Sequence, residues 1–370
     1  MPSALLIQEN TATGGVTRIT DHLMAGLTQA GWQVGSISLK DGTWASRLRP
    51  AWTGARQHQV LLATHNFLPA YATWLLATLM RKPWVMWVHG PVLPVLAMAQ
   101  ASPAKRRFLR WLYQRAPFVV FGSQAAQDSF EQFTWPAGQA GTGTPHGRHQ
   151  RRTVIHNATA LQTDERANQA KHAPLSAKPI ADLVDARVHI GFVGRLSAEK
   201  QPLQLLELLD HLPAHFVLHV VGDGPLMGEM RQHGQAQITT GRLLLHGQQT
   251  VTAQTYTAWQ ATVLCSAYEG YPMTALESLA CGVPCVSTPI PAMREMLHAQ
   301  APYMLARTDD AAALAQALLT TLHTPVAERQ QSLHAITQAH SPAQFVSAWL
   351  ALLHQAIHGT SGMHTPGGPA

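Results

Sequence analysis

Short apolar runs alternate along the chain with segments of helical periodicity. In the first half, the apolar runs that predict strands are Ala4–Ile7, Gln33–Leu39, Val60–Ala63, Trp84–Val88, Phe118–Phe121 and Thr153–Ile155. Between them, apolar residues recur every three or four positions, as on one face of a helix. This alternation predicts right-handed crossover connections and a parallel sheet with helices on both faces.

The same pattern restarts in the second half. The runs there are His189–Val193, Phe216–Val221, Leu243–His246, Val263–Leu264 and Pro284–Ser287. We therefore predict an α/β protein of two Rossmann-like, doubly wound domains in tandem. The expected domains are residues 1–165 and 166–345, followed by a helix at 346–358 that packs back toward the first domain and a disordered tail at 359–370. Ligands of such sheets bind beyond the carboxyl ends of the strands.

Composition supports two folded cores and narrows the cellular context. The chain has 370 residues, of which 46% are hydrophobic and 12% are charged, and this balance excludes a disordered scaffold. Its three cysteines are too few for a disulfide framework and have no metal-ligand spacing. The first residues lack the basic segment of a signal peptide. We expect a cytoplasmic protein.

Charge is divided unequally between the two halves. Residues 1–150 contain 13 basic and 5 acidic residues, so 13 − 5 gives +8, whereas residues 151–370 contain 13 and 15, so 13 − 15 gives −2. A basic half predicts an anionic partner, which can be a phosphate group, a phospholipid surface or nucleic acid.

Two carboxylates frame a predicted helix in the second half. Glu269 stands just before the helix and Glu277 about two turns into it, while Pro272 suits its first turn and Gly282 its end. The positive N-terminus of this helix lies at the predicted ligand edge, where it can bind an anion. The alternative interpretation is a favourable interaction of ordinary carboxylates with the helix dipole.

Two further motifs follow strands of the second half. Arg195 and Lys200 lie on the segment after His189–Val193, and two cations there need an anion or solvent. Ordinary solvated charges explain that segment equally well. Gly222 and Asp223 open a Gly-Asp-Gly-Pro turn that imitates a dinucleotide fingerprint without matching it, because the third glycine falls one residue late.

Together these motifs resemble the family 4 (group 1) glycosyltransferases, which have the GT-B fold. The resemblance implies that the two Rossmann-like domains face each other across a cleft. The resemblance covers nearly the whole chain, and its most specific part is the Glu-x7-Glu spacing of Glu269 and Glu277. The other matching positions are Gly14-Gly15, His65, His89-Gly90, Gly122-Ser123, Val154–Asn157, Gly194–Lys200, Gly222–Pro225 and Ser266. His156, Ala158 and Ala292 depart from the usual residues, at a hinge strand and a turn rather than at the chemistry.

The resemblance implies a role for each matching residue. It implies His89 and Glu269 as catalytic residues, Glu277 on the donor ribose, and Arg195 and Lys200 on the donor diphosphate. The further diphosphate-binding positions that it implies are Gly15, Gly270, Tyr271, Pro272 and Met273. Candidate substrate contacts are Gly14, Val16, His65, Asn157, Gly222 and Asp223. The resemblance also implies a UDP- or GDP-linked sugar as co-substrate and no other cofactor.

Histidine alone is a weak indicator in this chain, which contains 21 of them. Without the resemblance, His65 and His89 stand out only because each ends an apolar strand. No Asp-x-Asp motif is present, so the sequence provides no obvious ligands for the divalent metal of other glycosyltransferases. We expect protein cations to stabilise the departing diphosphate instead.

A basic, aromatic helix is predicted from Lys105 to Arg115. Phe108, Trp111 and Leu112 recur at helical spacing among arginines, as in helices that bind membrane surfaces. The alternative is a helix that covers the sheet and extends its arginine stems into water.

These observations predict a retaining, metal-independent glycosyltransferase that acts on a glycan or lipid-linked acceptor in cell-envelope polysaccharide or lipopolysaccharide synthesis, with a peripheral contact to the cytoplasmic membrane. One alternative is a sugar-nucleotide epimerase or hydrolase of the same fold. Another is a non-catalytic sugar-nucleotide binding module, against which the presence of both Glu269 and Glu277 argues. A nucleic-acid binder is disfavoured, because the chain lacks the interleaved basic and aromatic residues of such modules.

Overall fold

The computed structural model describes residues 1–9, 14–41, 44–136, 150–159, 161 and 187–359. The chain folds into two units. Unit 1 comprises Met1–Asn157 together with the returning segment Pro342–Ala370, and unit 2 is Ala158–Ser341.

Unit 1 alternates strands and helices along the chain. Its strands are β1 (Ser3–Gln8), β2 (Gln33–Ser38), β3 (Val60–Ala63), β4 (Trp84–Val88), β5 (Phe118–Phe121) and β6 (Arg151–Val154). Its helices are α1 (Gly15–Gln29), α2 (Trp44–Gln57), α3 (Leu68–Met80), α4 (Val92–Met98), α5 (Pro103–Tyr113) and α6 (Gln124–Thr134). The returning segment forms α15 (Pro342–His358).

The six strands of unit 1 form a parallel sheet in the order β2-β1-β3-β4-β5-β6. Because side chains alternate across a strand, Met86 and Val88 of β4 join the core that contains residues of α2 to α6. Trp87 lies on the opposite face, where its ring centroid is 4.7 Å from that of Trp349 on α15. Both faces of the sheet are therefore covered.

Helix α15 packs closely against α1. A Cβ at Gly26 would lie 2.3 Å from Cγ2 of Val346, so only glycine permits this approach without a shift. Phe345 contacts His22 of α1, with ring centroids 5.7 Å apart. The last described helix is thus part of the core of unit 1.

Unit 2 has a second parallel sheet. Its strands are β7 (Val188–Val193), β8 (Phe216–Val221), β9 (Leu243–Gly247), β10 (Ala261–Leu264) and β11 (Cys285–Ser287), in the order β11-β10-β7-β8-β9. Its helices are α7 (Gln204–Asp210), α8 (Met227–His233), α9 (Gln235–Thr239), α10 (Ala253–Thr257), α11 (Met273–Ala280), α12 (Pro291–Leu297), α13 (Ala311–His323) and α14 (Val326–Ala339). Short 3-10 helices occur at Ala198–Lys200 and Pro302–Met304.

Two buried clusters hold the helices of unit 2 on its sheet. The larger contains residues of β7 and β8 with leucines of α7 and α13. The smaller centres on Tyr256, Trp259, Cys281 and Val283, which belong to or adjoin α10 and α11. A doubly wound arrangement results.

The predicted α/β class with two parallel-sheet domains is confirmed. The division between the units follows Asn157 rather than residue 165, and α15 begins at Pro342 rather than at 346. Proline fits that start, since its missing N–H is not needed in the first turn of a helix. Strand β6 begins at Arg151, two residues before the predicted start at Thr153, because Arg151 and Arg152 pair with β5.

The predicted tail at 359–370 lies, apart from Gly359, outside the described residues. Among the residues that are described, no helix is long and apolar enough to cross a membrane.

Candidate functional site

Strand order locates the candidate site of unit 2. The chain runs from β7 to β8 and β9 on one side of the sheet, whereas β10 and β11 lie on the other side. The order therefore reverses between β7 and β10, and the carboxyl ends of strands at such a reversal form a ligand crevice. Arg195 and Lys200 follow β7, and Glu269 follows β10. The sheet topology thus brings together Lys200 and Glu269, which are 69 residues apart in sequence.

Lys200 and Glu269 pair directly at this edge. The Nζ atom of Lys200 donates to Oε1 of Glu269, and Ser266 Oγ donates to the same oxygen at 2.7 Å. The side chains of Lys200 and Glu269 are 24% and 12% exposed, so the pair is largely shielded from water. The sequence predicted both residues at the site but not this bond between them.

Arg195 is the second cation of the segment. Its side chain is exposed and has no hydrogen-bond or ion-pair partner among the described residues. This exposed guanidinium, on the same segment as the shielded Lys200 ammonium, can meet an anion without first breaking an internal contact.

The turn after β8 fixes the segment after β7. Gly222 has φ +145°, and a Cβ there would lie 1.9 Å from the carbonyl oxygen of Gly194. The N–H of Leu196 donates to the Asp223 carbonyl at 3.0 Å, and the Asp223 carboxylate accepts from the N–H of Gly224 at 2.6 Å. In the described structure, Gly222 and Asp223 therefore shape the segment that carries Arg195.

Helix α11 carries Glu277 on a buried turn. Glu277 is only 3% exposed, and its Oε2 accepts a 2.7 Å hydrogen bond from the hydroxyl of Tyr256 on α10. Because a buried carboxylate needs partners, Tyr256 stabilises Glu277 and fixes its orientation. Sequence reasoning missed Tyr256, since a tyrosine on a helix of only 5 residues carries no periodic signal.

The helix begins as expected next to Glu269. Pro272 precedes it with extended backbone angles, φ −71° and ψ 118°, and Met273 is its first residue. The first N–H groups of a helix have no partner within it, so those at Met273 and beyond can bind an anion. Gly270 and Tyr271 connect this N-terminus to Glu269.

The nearby cysteines are buried thiols. Cys265 Sγ donates to the carbonyl of Lys200 at 3.2 Å, and burial raises the pKa of Cys265 to about 12. Burial likewise raises the pKa of Cys285 to about 12. Neither thiol is activated as a nucleophile.

In unit 1, the strand order reverses between β1 and β3, and the predicted histidines lie at that carboxyl edge. His65 follows β3, His89 follows β4, and their ring centroids are 5.3 Å apart. The Nε2–H of His89 donates to the carbonyl of Thr64 at 2.7 Å. This bond leaves Nδ1 as the acceptor of the neutral ring.

Both imidazoles are held in the neutral form. Burial and the neighbouring His65 lower the pKa of His89 to about 3. Burial also lowers the pKa of His65. Trp87 supports His89 from within the sheet, with ring centroids 4.4 Å apart. Two neutral imidazoles can accept or donate hydrogen bonds to a sugar without carrying charge.

The other predicted contacts of unit 1 lie at chain junctions. Gly14 precedes α1, whose first two residues are Gly15 and Val16. The backbone of Gly14 is extended, and a Cβ at that position would meet no described atom within 4 Å. Asn157 is 5% exposed and is the last residue of unit 1 before the division.

A family model matches the part of the chain that forms most of unit 2. Residues 187–324 match the family model for glycosyl transferases group 1. The match supports the predicted resemblance of this chain to the group 1 glycosyltransferases. It covers the part of unit 2 that contains Arg195, Lys200, Glu269 and Glu277.

Several characterised transferases share segments with this chain. The lipopolysaccharide 1,6-galactosyltransferase of Escherichia coli K12 is 33% identical over 102 residues, which are 26% of this chain and 28% of that protein. An Escherichia coli UDP-Gal:alpha-D-GlcNAc-diphosphoundecaprenol alpha-1,3-galactosyltransferase is 34% identical over 100 residues, 25% of this chain and 26% of the relative. The matched segments thus span between a quarter and a third of these relatives.

Solved structures match almost the whole chain. HepE of Anabaena, solved in complex with UDP, has a TM-score of 0.72 at 18% identity over 96% of this chain and 100% of its own. Sucrose-phosphate synthase of Thermosynechococcus elongatus has a TM-score of 0.73 at 16% identity over 97% and 100%. The fold is GT-B, as predicted.

Proposed function

We propose that the protein is a retaining glycosyltransferase that moves a sugar from a nucleoside diphosphate to a hydroxyl group of a glycan or lipid-linked acceptor. Its place is the synthesis of cell-envelope polysaccharide or lipopolysaccharide. The observation that carries the proposal is the carboxyl edge of unit 2, where a shielded Lys200–Glu269 pair, the exposed Arg195 and the start of α11 occur together.

The two cations and the helix N-terminus suit the leaving group. When the bond between sugar and diphosphate breaks, negative charge builds on the diphosphate oxygens. Arg195 and Lys200 bind those oxygens in our proposal, and the N–H groups at Gly270–Met273 add fixed positive dipoles.

The carboxylates of Glu269 and Glu277 have different roles in the proposal. Glu277, oriented by Tyr256, accepts hydrogen bonds from the ribose hydroxyls. Glu269 holds Lys200 and lies on the sugar side of the diphosphate, where a carboxylate stabilises the positive charge that develops at the anomeric carbon. In unit 1, we propose that His89 and the neighbouring His65 form hydrogen bonds to sugar hydroxyl groups through their neutral rings.

We propose a metal-independent reaction, because protein cations occupy the role of a divalent ion at the diphosphate. A UDP- or GDP-linked sugar is the co-substrate. HepE was solved in complex with UDP and with UDP-glucose, so UDP is the first nucleotide to test.

The decisive experiment incubates the purified protein with labelled UDP- and GDP-sugars, with and without a polyprenol-linked or lipopolysaccharide-core acceptor. We expect label in the acceptor, an α-linkage by NMR from an α-linked donor, and full turnover in excess EDTA. Free sugar without acceptor would indicate a hydrolase, a new nucleotide sugar an epimerase, and binding without turnover a binding module. Loss of activity in EDTA that Mn²⁺ restores would refute metal independence.

The acceptor side of the proposal includes a membrane surface. Residues 42–127 contain ten Lys and Arg and no Asp or Glu. Helix α5 presents Phe108, which is 46% exposed, and the neighbouring α3 presents Leu75 and Leu79, which are 50% and 60% exposed. The two helices touch through Trp74 and Trp111, with ring centroids 4.9 Å apart. Exposed apolar side chains beside uncompensated cations suit an anionic lipid surface.

Some of the basic residues of α5 make internal contacts, so a test of membrane binding should replace the others. Arg106 and Arg110 donate to backbone carbonyls, whereas the side chains of Lys105 and Arg107 make no hydrogen bond within the part of the chain that the structure describes. Replacing Lys105 and Arg107 with Gln, together with Leu75→Ser and Leu79→Ser, should reduce sedimentation with phosphatidylglycerol liposomes at low salt. Activity on a short soluble acceptor should be retained. Equal sedimentation of parent and variant would identify α5 as an ordinary cover of the sheet.

A further inference from the structure

Tyr271 lies in the segment Glu269–Pro272, called the donor loop below. It is 4% exposed, and its hydroxyl is hydrogen-bonded to Nε2 of His340. The other ring nitrogen, Nδ1, lies 2.7 Å from the carbonyl oxygen of Ile336. Because a carbonyl can only accept, Nδ1 carries the proton and Nε2 accepts from the tyrosine. The hydroxyl of Tyr271 therefore donates to His340, and His340 donates to a backbone carbonyl of α14.

The hydroxyl is the informative part of this contact. A phenylalanine would fill the same buried space without a polar atom that needs a partner. Burial raises the pKa of Tyr271, which keeps the hydroxyl protonated as a donor. The ring centroids of Tyr271 and His340 are 5.4 Å apart with planes 30° from parallel, so the two rings also pack.

His340 lies where the chain leaves unit 2. It directly follows α14, and two residues later Pro342 begins the returning segment that belongs to unit 1. Helix α14 also packs against α11, the helix that carries Glu277. A residue 69 positions away in sequence thus reaches the donor loop from the segment by which the chain leaves unit 2.

We propose that His340 is a positioning residue that holds the donor loop in place through the hydroxyl of Tyr271. The proposal rests on the proposed function of the loop as a diphosphate and sugar site. Glu269 precedes Tyr271 by two residues, and Met273, the first residue of α11, follows it by two. A shift of Tyr271 therefore moves both the carboxylate and the anion-binding N–H groups.

The test compares four single variants of the full chain. Tyr271→Phe removes only the donor, His340→Phe removes the acceptor, and His340→Gln restores an acceptor on a side chain of similar length. His334→Phe is the matched control, since His334 lies on α14, the helix that His340 directly follows, and is exposed. For each we measure the Kd for UDP by calorimetry, donor KM and kcat, Tm, and amide hydrogen exchange over residues 268–273.

We expect Tyr271→Phe and His340→Phe to raise the Kd for UDP and the donor KM roughly three- to tenfold, the usual effect of one hydrogen bond. Exchange over residues 268–273 should quicken in both. His340→Gln should recover to within about twofold, and His334→Phe should match the parent. A double variant with both Tyr271→Phe and His340→Phe should be no weaker than the worse single variant, because both remove the same contact.

A lower Tm with unchanged Kd, KM and exchange would overturn the proposal and leave a purely structural bond. Failure of the parent to bind UDP, GDP or their sugars would instead refute the proposed function. The exchange rates would then still decide whether His340 fixes the loop.

Discussion

At the carboxyl edge of the sheet in unit 2, an ammonium and a carboxylate neutralise each other beside an exposed guanidinium. At the same edge of unit 1, two imidazoles are kept neutral by burial, one with a pKa of about 3. Both edges arise from a reversal of strand order in a parallel sheet. The shared topology therefore fixes where a crevice forms, whereas the side chains fix whether that crevice suits an anion or a neutral hydroxyl-rich group.

The largest expected effect is on enzyme kinetics and distinguishes Glu269 from Glu277 in unit 2. Glu269→Gln should lower kcat on the order of 10²-fold, because it removes charge that acts at the transition state. Glu277→Gln should mainly raise donor KM, since ribose contacts are equal in the ground and transition states. Steady-state kinetics of both variants provide the measurement. An identical pattern in the two would contradict the division of roles.

The next effect concerns the cations. Arg195→Ala and Lys200→Ala should each weaken UDP binding by about 1.5–3 kcal/mol, the range for charged hydrogen bonds. Lys200→Ala should be the more damaging, because it leaves the shielded Glu269 carboxylate facing the diphosphate. Arg231→Ala removes an exposed cation from α8 and is the matched control. Unchanged calorimetric affinity in both site variants would remove these residues from the donor site.

Tyr256→Phe tests the support beneath Glu277. Loss of the hydroxyl should destabilise the fold by about 1.5 kcal/mol, as it deprives a buried carboxylate of a donor. Donor KM should rise while kcat is retained, as in Glu277→Gln. Chemical denaturation and kinetics give the two readouts. A variant that is less stable but kinetically identical to the parent would show that Glu277 does not bind the donor.

The last effect is read from the pH dependence of stability and tests the two imidazoles of unit 1. The pKa of His89 is about 3 in the fold against about 6.5 when unfolded, so below pH 6.5 the unfolded state binds more protons. Stability from this group is complete above pH 6.5 and falls toward pH 3, by up to about 1.4 kcal/mol per pH unit. His89→Gln should flatten the dependence measured by denaturation between pH 7.5 and 5. An equal slope in parent and variant would place the titrating groups elsewhere.

The sequence predicted the strands well because buried parallel strands are continuous apolar runs. Val60–Ala63, Trp84–Val88, Phe118–Phe121 and Phe216–Val221 occur with the predicted bounds. The strand order β10-β7 was not predictable, because it depends on how crossovers pack rather than on local pattern. The direct bond between Lys200 and Glu269 follows from that order, so the sequence could place both residues at the edge but could not pair them.

Long-range polar partners also escaped prediction. The contacts of Tyr256 with Glu277 and of Tyr271 with His340 join residues 21 and 69 positions apart. No periodicity links such residues, and a buried tyrosine in a motif looks like an apolar one. A buried hydroxyl usually needs a hydrogen-bond partner. This requirement is the physical signal that could have indicated both contacts.

The contact between Gly222 and Gly194 has a consequence for engineering. The turn after β8 and the segment after β7 approach backbone to backbone, and a Cβ at Gly224 would lie 2.4 Å from the carbonyl oxygen of Leu196. Neither loop can therefore be exchanged alone for that of a related protein without collision or an empty gap. Chimaeras that test the proposed nucleotide site should therefore exchange both loops together and keep both glycines. Substitutions meant to change the proposed donor should be made at side chains that point away from the contact between the loops.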